Sequence, residues 1–472
     1  MDDIYEVGEK YRDTIATVDE KGKRVWIYPR KPKGHYHNLR IGVTILLLIL
    51  FFVGPLIRLN GNPFILIDVF ERHFIIMGVP LWPQDFHIVA LALISLVVFV
   101  VLFTVIYGRI WCGWACPQTI FLEMVFRKIE YLIEGNATKQ KKLDDAPWTG
   151  GKIFKKGLKH LVFILISLIV SHTFMAYIIG SEGVIDIVSQ SPSAHWAGFA
   201  GIMAFTAFFY FIMSVFREQV CTTVCPYGRL QGVFVSNNTV AVIYDWLRGE
   251  PRARLKKGKK DESKGDCIEC KLCVYACPTG IDIRNGTQLE CVNCTACMDA
   301  CDGVMDRIEK PRGLIKYASY DGIKTGNHKI FTTRVLAYSV VLSVLVFAVF
   351  YMLLTRPDIE ATILKVPGQL YQEQPNDRIS NLYNMQFLNK TYKEVDIDLK
   401  VKDIEGATIK RVGELGLHIP VGERLDCVFF IELPKSVVTQ MKIKLIIQLI
   451  RNGEVVDEVK TNFIGPLVIP KR

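Results

Sequence analysis

Five apolar stretches, each near the length a helix needs to cross a bilayer, set the strongest limit on what this 472-residue chain can fold into. They run Arg40–Arg58, His87–Tyr107, Leu158–Gly180, Ala194–Phe216 and Thr333–Thr355. About 20 mostly apolar residues cross the hydrocarbon core as a helix. The bilayer offers no water to unpaired backbone groups, so a span must satisfy its own, as a helix does. The composition agrees: 50% of residues are hydrophobic and the mean hydropathy is +0.25. The first stretch follows about 40 mostly polar residues, too deep in the chain for a cleaved leader.

Lysine and arginine placement orients the spans, because short cytoplasmic loops are enriched in both. Basic residues cluster before the first span (Lys21, Lys23, Arg24, Arg30, Lys31, Lys33), between Gly108 and Gly157, and over Arg248–Lys264. Ser181–Ser193 carries none, and Asn60–Phe86 carries only Arg72. With five spans, the three basic segments share one side. The N-terminus is therefore expected in the cytoplasm, and the residues after the fifth span outside. The net charge of +10 is this topology signal and not the footprint of a nucleic-acid partner.

The first four spans read as a duplicated hairpin. The second leads into Cys112-Gly-Trp-Ala-Cys116-Pro117 and the fourth into Cys221-Thr-Thr-Val-Cys225-Pro226, each after a basic residue. His87 and His195 stand at matching places near the outer starts of these spans. The expected architecture is mixed and multi-domain. It comprises a cytoplasmic segment (1–39), a four-helix membrane bundle (40–246), a linker and ferredoxin-like module (247–332, core 266–303), a fifth transmembrane helix (333–355) and a β-sandwich (356–472). The last assignment rests on alternating runs at Val395–Val401, Leu425–Leu433 and Met441–Ile450, parted by turn signals at Pro434-Lys435 and Asn452-Gly453. Asn60–Phe86, mixed apolar residues and prolines, is expected at the outer interface.

Twelve of the 13 cysteines fall in four spaced motifs, all on the expected cytoplasmic side, where disulfides are rare. Cys427, the thirteenth, is expected as a core thiol of the sandwich. Cys267-x2-Cys270-x2-Cys273-x3-Cys277-Pro278 is followed by Cys291-x2-Cys294-x2-Cys297-x3-Cys301. In two-cluster ferredoxins the fourth cysteine of each such run serves the other cluster. One [4Fe–4S] cluster is therefore assigned to Cys267, Cys270, Cys273 and Cys301, and the other to Cys291, Cys294, Cys297 and Cys277. Zinc motifs rarely repeat three cysteines at this spacing. No acid–base constellation accompanies the clusters, so their chemistry is one-electron transfer.

Duplication brings Cys112, Cys116, Cys221 and Cys225 to one membrane edge. The proline after each second cysteine ends the helix there. Four thiols can hold a soft metal such as Cu(I), hold another cluster, or cycle between dithiol and disulfide. His172, in mid-span, has Met175 on the same helix face, and a His with a Met suits copper. His172 also reads as a satisfied interior histidine, and His87 and His195 as either a ligand pair or helix caps.

Ile27-Tyr28-Pro29-Arg30, Trp82-Pro83-Gln84-Asp85, Trp111–Gln118, Cys225-Pro-Tyr-Gly-Arg-Leu-Gln231, Asp266–Cys270 and Glu290–Cys301, running on to Gly313-Leu-Ile-Lys-Tyr317, resemble the cytochrome c oxidase accessory proteins of the FixG/CcoG/RdxA type. The resemblance covers nearly the whole chain. It implies an Ig-like outer domain, a role in assembling the cbb3-type haem–copper oxidase, and reduction of Cu(II) to Cu(I) for its copper centre, with Cys112, Cys116, Cys221 and Cys225 as the copper site. Implied partners are the lipid bilayer, oxidase subunits or copper-delivery proteins, and an unnamed cytoplasmic electron donor. Cys-x-x-x-Cys-Pro alone also occurs in quinol-dehydrogenase subunits of the NapH type. A quinol-oxidising electron-transfer subunit and a non-catalytic assembly scaffold are the rival readings.

Overall fold

A computed structural model describes the chain except residues 1–16, 19–20, 60, 70–72, 255–262, 327–329, 367, 369, 376, 392, 413–416, 421–423, 452 and 467–472. Residues 255–262 of the basic linker, together with Arg72 and Asn452 of the readings above, therefore lie outside the described residues. The chain divides into two compact units, 1–348 and 349–472.

Five helices of the described chain are long and apolar enough to cross a membrane: His35–Leu56, Pro83–Tyr107, Gly150–Ser189, Trp196–Phe216 and Thr333–Leu354. The first begins earlier than its hydropathy predicts. Asp299 accepts from the backbone N–H groups of Tyr36 (3.0 Å) and His37 (2.7 Å), and so caps a polar turn that composition alone does not mark as helical. The third is longer than expected, but it turns at Gly180, whose φ of 79° breaks the helical path where the apolar run ends.

Inside the bundle the usual soluble-protein pattern is inverted. Thr44, Ser95, Thr104, Ser167, Ser171 and Thr206 are buried, whereas Leu46, Leu93, Leu165 and Phe208 are exposed. Helices in lipid gain nothing by hiding leucine, and small residues let them approach closely. Ser171 Oγ donates across the third and fourth spans to the Ile202 carbonyl at 3.0 Å. In the fifth span only Val335 is buried.

Asn60–Phe86 holds a small antiparallel meander, Ile65–Asp68, His73–Ile76 and Val79–Leu81. These strands are too short for alternation to announce them. On the other face of the bundle, Ala241–Tyr244 pairs antiparallel with Ile315–Ala318. The cysteine-rich segment lies between these strands and builds its own core around Met298, Met305, Leu314 and Ile315.

The second unit is an antiparallel β-sandwich. Arg378–Asn389 pairs with Arg424–Pro434 and Ile359–Lys365 in one sheet, and Lys442–Arg451 lies between Asp398–Val401 and Glu454–Ile464 in the other. Tyr383, Phe429, Ile447 and Phe463 are fully buried between the sheets. Cys427 is partly buried against that core, short of the full burial expected of it.

Candidate functional site

The two Cys-x-x-Cys-x-x-Cys loops share a local geometry. Glu269 (φ 58°) and Lys271 (φ 57°) in the first, and Asn293 (φ 52°) and Thr295 (φ 64°) in the second, are left-handed at matching places. Non-glycine residues hold this conformation only where the surroundings impose it. Here it winds the chain so that successive thiols converge. Cys267, Cys270, Cys273 and Cys301 line one cavity, about 350 Å³ counted out through its mouth. Cys273, Cys277, Cys291, Cys294 and Cys297 line another, about 340 Å³ counted in the same way. Each cavity is thus lined by thiols of both motifs.

Both cavities have otherwise mainly apolar walls, with an arginine near the thiols. Burial pushes the Cys273 thiol up to about 12, against the pull of Arg284, which is clamped to Asp282 at 2.8 and 2.6 Å. Burial likewise raises Cys291 to about 12 and Cys294 to about 11, opposed by Arg109 and by Arg40 respectively. Thiols so placed keep their protons at neutral pH, and a bound metal must displace them. An all-thiol set around an apolar cavity fits an iron–sulfur cluster. Among the described residues, no group of three or more His, Cys, Asp or Glu side chains is drawn together around a single-ion site.

The other four cysteines are also gathered. Cys221 lies within the electrostatic reach of Cys116, Cys112 and Cys225, and Cys112 within that of Cys116 and Cys225. The two turns that carry them match position for position. Gly108 (φ 53°, ψ −124°) and Arg217 (φ 51°, ψ −122°) break their spans with one backbone conformation. The amide N–H of Cys116 then donates five residues back to Trp111 (2.9 Å), and that of Cys225 to Val220 (2.8 Å). Cys116 and Cys225 are extended, and a new helix starts at each following proline, as the proline rule requires. The match sets Arg217 against Gly108 and Glu218 against Arg109, so the basic residues of the two motifs are one position out of step. Burial raises the Cys221 thiol to about 12 and that of Cys112 to about 11. The fully buried Gln231 amide donates to Cys112 Sγ at 3.6 Å.

The quartet abuts the second cradle. Cys112 and Cys221 pack against the cluster of Ala276, Val292, Cys294 and Ala296. Gly113 makes this possible, because a Cβ there would stand 2.5 Å from the Val292 carbonyl oxygen. Arg40, buried at the foot of the first span, donates from Nε to the Gly113 carbonyl and from Nη1 to the Cys294 carbonyl, both at 3.0 Å. Tyr317 OH donates to the Asn293 carbonyl (3.2 Å) and accepts from Trp114 Nε1 (3.0 Å). The sequence marked neither Arg40 nor Gln231 as a site residue. For Arg40 the available signal was a charge at the edge of an apolar span.

The histidines have other occupations. His87 Nδ1 lies 3.1 Å from the Gln84 carbonyl at the start of its helix, and His195 Nε2 lies 3.0 Å from Gln190 Oε1. His172 Nδ1 lies 2.7 Å from the Leu168 carbonyl one turn back, with Met175 partly buried beside it. Among the described residues, no hydrogen bond joins these histidines to one another or to the cysteines.

Residues 89–136 match the profile of a 4Fe-4S binding domain and residues 216–320 that of a 4Fe-4S dicluster domain. Residues 349–466 match the Ig-like fold at the C-terminus of FixG. The chain is 30% identical to the nitrogen fixation protein FixG of Rhizobium meliloti, over 91% of either chain. It is 33% identical to the proteins RdxA and RdxB of Cereibacter sphaeroides, covering 84% and 80% of this chain and 87% and 82% of theirs. With its apolar helices, cysteine cradles and Ig-like unit, the chain belongs to the FixG family of membrane iron–sulfur electron-transfer proteins.

Proposed function

We propose that the protein carries single electrons from a cytoplasmic donor to thiols at the membrane edge, where Cu(II) is reduced to Cu(I) for the copper centre of a cbb3-type oxidase under assembly. One observation carries this reading: the cysteines run in series from solvent to bundle. Cys270 of the first cradle is exposed, Cys273 lines both cavities, and Cys294 of the second cradle packs with Cys112 and Cys221. A chain built to pass charge inward needs that order.

The two cradles supply eight thiols in the crossed sets described above, and clusters held there provide reversible one-electron storage. Arg284 and Arg40 place positive charge beside the two sets, which favours the reduced state of whatever they hold. At the quartet, thiolate is a soft ligand that prefers Cu(I) to Cu(II). Two thiolates suffice for Cu(I), in keeping with a quartet not drawn together around one ion. Lysine and arginine placement supports a cytoplasmic N-terminus and cradles and an outer β-sandwich.

The test is anaerobic. Dithionite-reduced protein receives Cu(II) and a Cu(I)-specific chelator. Wild type should form Cu(I) at least about tenfold faster than a variant with serine at 112, 116, 221 and 225, the loss expected when a soft site becomes a hard one. Equal rates would remove the quartet from the reaction. A pure scaffold would instead keep oxidase maturation intact in cells after loss of the cradle cysteines.

A further inference from the structure

One large cavity of the first unit is neither a cradle nor part of the quartet. It is open, about 1160 Å³ with its mouth, and lies between the N-terminal segment at Trp26 and the ends of the third and fourth spans. Exposed Trp26 and Val215 flank it, and Val215 lies in the last turn of the fourth span, at membrane level. Inside, Phe163 is fully buried, and Tyr210 OH and His160 Nδ1 form a hydrogen-bonded pair at 2.9 Å.

The charges on the wall are largely spent on one another. Arg217 holds Glu130 through two hydrogen bonds of 2.5 and 2.9 Å, Lys159 meets Glu134 at 3.0 Å, and Lys156 meets Asp144 at 2.5 Å. Arg127, 1% exposed, lines the same cavity and is held by Glu123 at 3.2 Å and Glu218 at 3.3 Å. An anionic headgroup would find little net positive charge here. A neutral ring with hydrogen-bonding oxygens and an apolar tail finds aromatic walls, a His–Tyr pair and a mouth at the bilayer.

We propose that this cavity binds the headgroup of a membrane quinol, which serves as an electron donor to the quartet. Its position suits the task. The Arg217 carbonyl, part of the wall, accepts from Gln118 Nε2 at 3.1 Å, two residues past Cys116. The turn that begins at Arg217 carries Cys221, whose N–H donates to the Glu218 carbonyl at 3.1 Å. The donor role rests on the copper reading above. The net reaction is one quinol with two Cu(II), giving one quinone, two Cu(I) and two protons. The two quinol O–H bonds break, the electrons leave one at a time, and the protons leave by the polar wall.

Binding tests the site independently of turnover. Full-length protein in lipid nanodiscs, titrated anaerobically with decylubiquinone by calorimetry, should show one saturable site. Ser214→Phe, which fills the cavity, should weaken binding by at least about tenfold, and Tyr210→Phe by about threefold. In both variants the iron content and dithionite-driven Cu(II) reduction should stay at wild-type levels, while decylubiquinol-driven Cu(II) reduction above the protein-free background falls with the affinity. If Ser214→Phe loses its iron, Tyr210→Phe and His160→Gln decide the matter. Absence of wild-type binding, unchanged affinity in the variants, or displacement of decylubiquinone by short-chain phosphatidylglycerol would overturn the proposal. If wild type binds the quinone but dithionite fails to drive copper reduction, the site stands and the copper reading falls.

Discussion

The two Cys-x-x-x-Cys-Pro turns reach one backbone shape by opposite means. At the first break stands Gly108, which takes φ 53° without steric penalty; at the second stands Arg217, which does not. The arginine is held there by charge. It forms two hydrogen bonds to buried Glu130 and lies 3.6 Å from Glu218, which also faces Arg24 and Arg127. Strain at a non-glycine residue survives only where its neighbours over-determine it. The difference teaches that one turn needs no partner to hold its backbone shape, while the other is locked into the wall of a polar chamber.

Breaking the lock should have the largest effect. Arg217→Met leaves Glu130 buried without its main partner and should cost about 3–5 kcal/mol, read as a fall in thermal midpoint in nanodiscs. Arg217→Gly relieves the backbone but not the charge, so it should be nearly as damaging. If it matched wild type, backbone shape alone would matter and the contrast would vanish.

Acid should loosen the same lock. Burial by itself would raise Glu130, but Arg217, Lys159 and Arg127 outweigh it and hold the carboxyl down at about 2, against an ordinary 4.5. A lowered folded value means that the stabilisation is whole above about pH 4.5 and drains away as pH falls toward 2. That span corresponds to about 3 kcal/mol. Glu130→Gln should remove this share of the acid dependence in a pH series of thermal midpoints, and an unchanged series would contradict the assignment.

The glycine turn is tested from the other side. Gly108→Ala puts a Cβ at a positive φ, 3.3 Å from Thr239 Cγ2 and 3.4 Å from the Val240 oxygen, and should cost about 1–3 kcal/mol. No loss would mean that the backbone shape tolerates side chains in general, and Arg217 would need no lock. Smaller in stability, about 1–2 kcal/mol, but more local in readout is Gly113→Ala, because the new Cβ must push back the Val292 carbonyl. It should alter the electron paramagnetic resonance of a cluster at the Cys291, Cys294 and Cys297 loop and leave that at the Cys267 loop alone. Thr222, at the matching place of the other turn, already carries a side chain, so Thr222→Ala should change neither.

Much of this was legible in the sequence because the signals are local. Apolar run length marked the five spans, and alternation marked the strands around Leu425 and Lys442. The spacing of eight cysteines marked the two loops whose thiols line the cavities, and the prolines after Cys116 and Cys225 marked helix ends. What stayed hidden depends on contacts between distant segments. The turn at Tyr36 and His37 is helical because Asp299 caps it. The meander before the second span is too short for its periodicity to show. The quinol-sized chamber draws on Trp26, Phe163 and Tyr210, which no reading window contains together. The equivalence of Gly108 with Arg217 shows only in dihedral angles, since side-chain chemistry pairs Arg109 with Arg217 instead.

The ladder between Ala241–Tyr244 and Ile315–Ala318 has a further consequence. Paired strands lie about 4.8 Å apart, so the cysteine-rich segment departs and returns through one doorway. To the helices it is a single stitch. A segment whose ends meet in this way can be lengthened, or exchanged for another with equally close ends, without re-threading any span. The electron carrier is in that sense a cartridge in a socket, and a replacement must keep the contacts of Asp299 with Tyr36 and His37 and of Cys294 with Arg40.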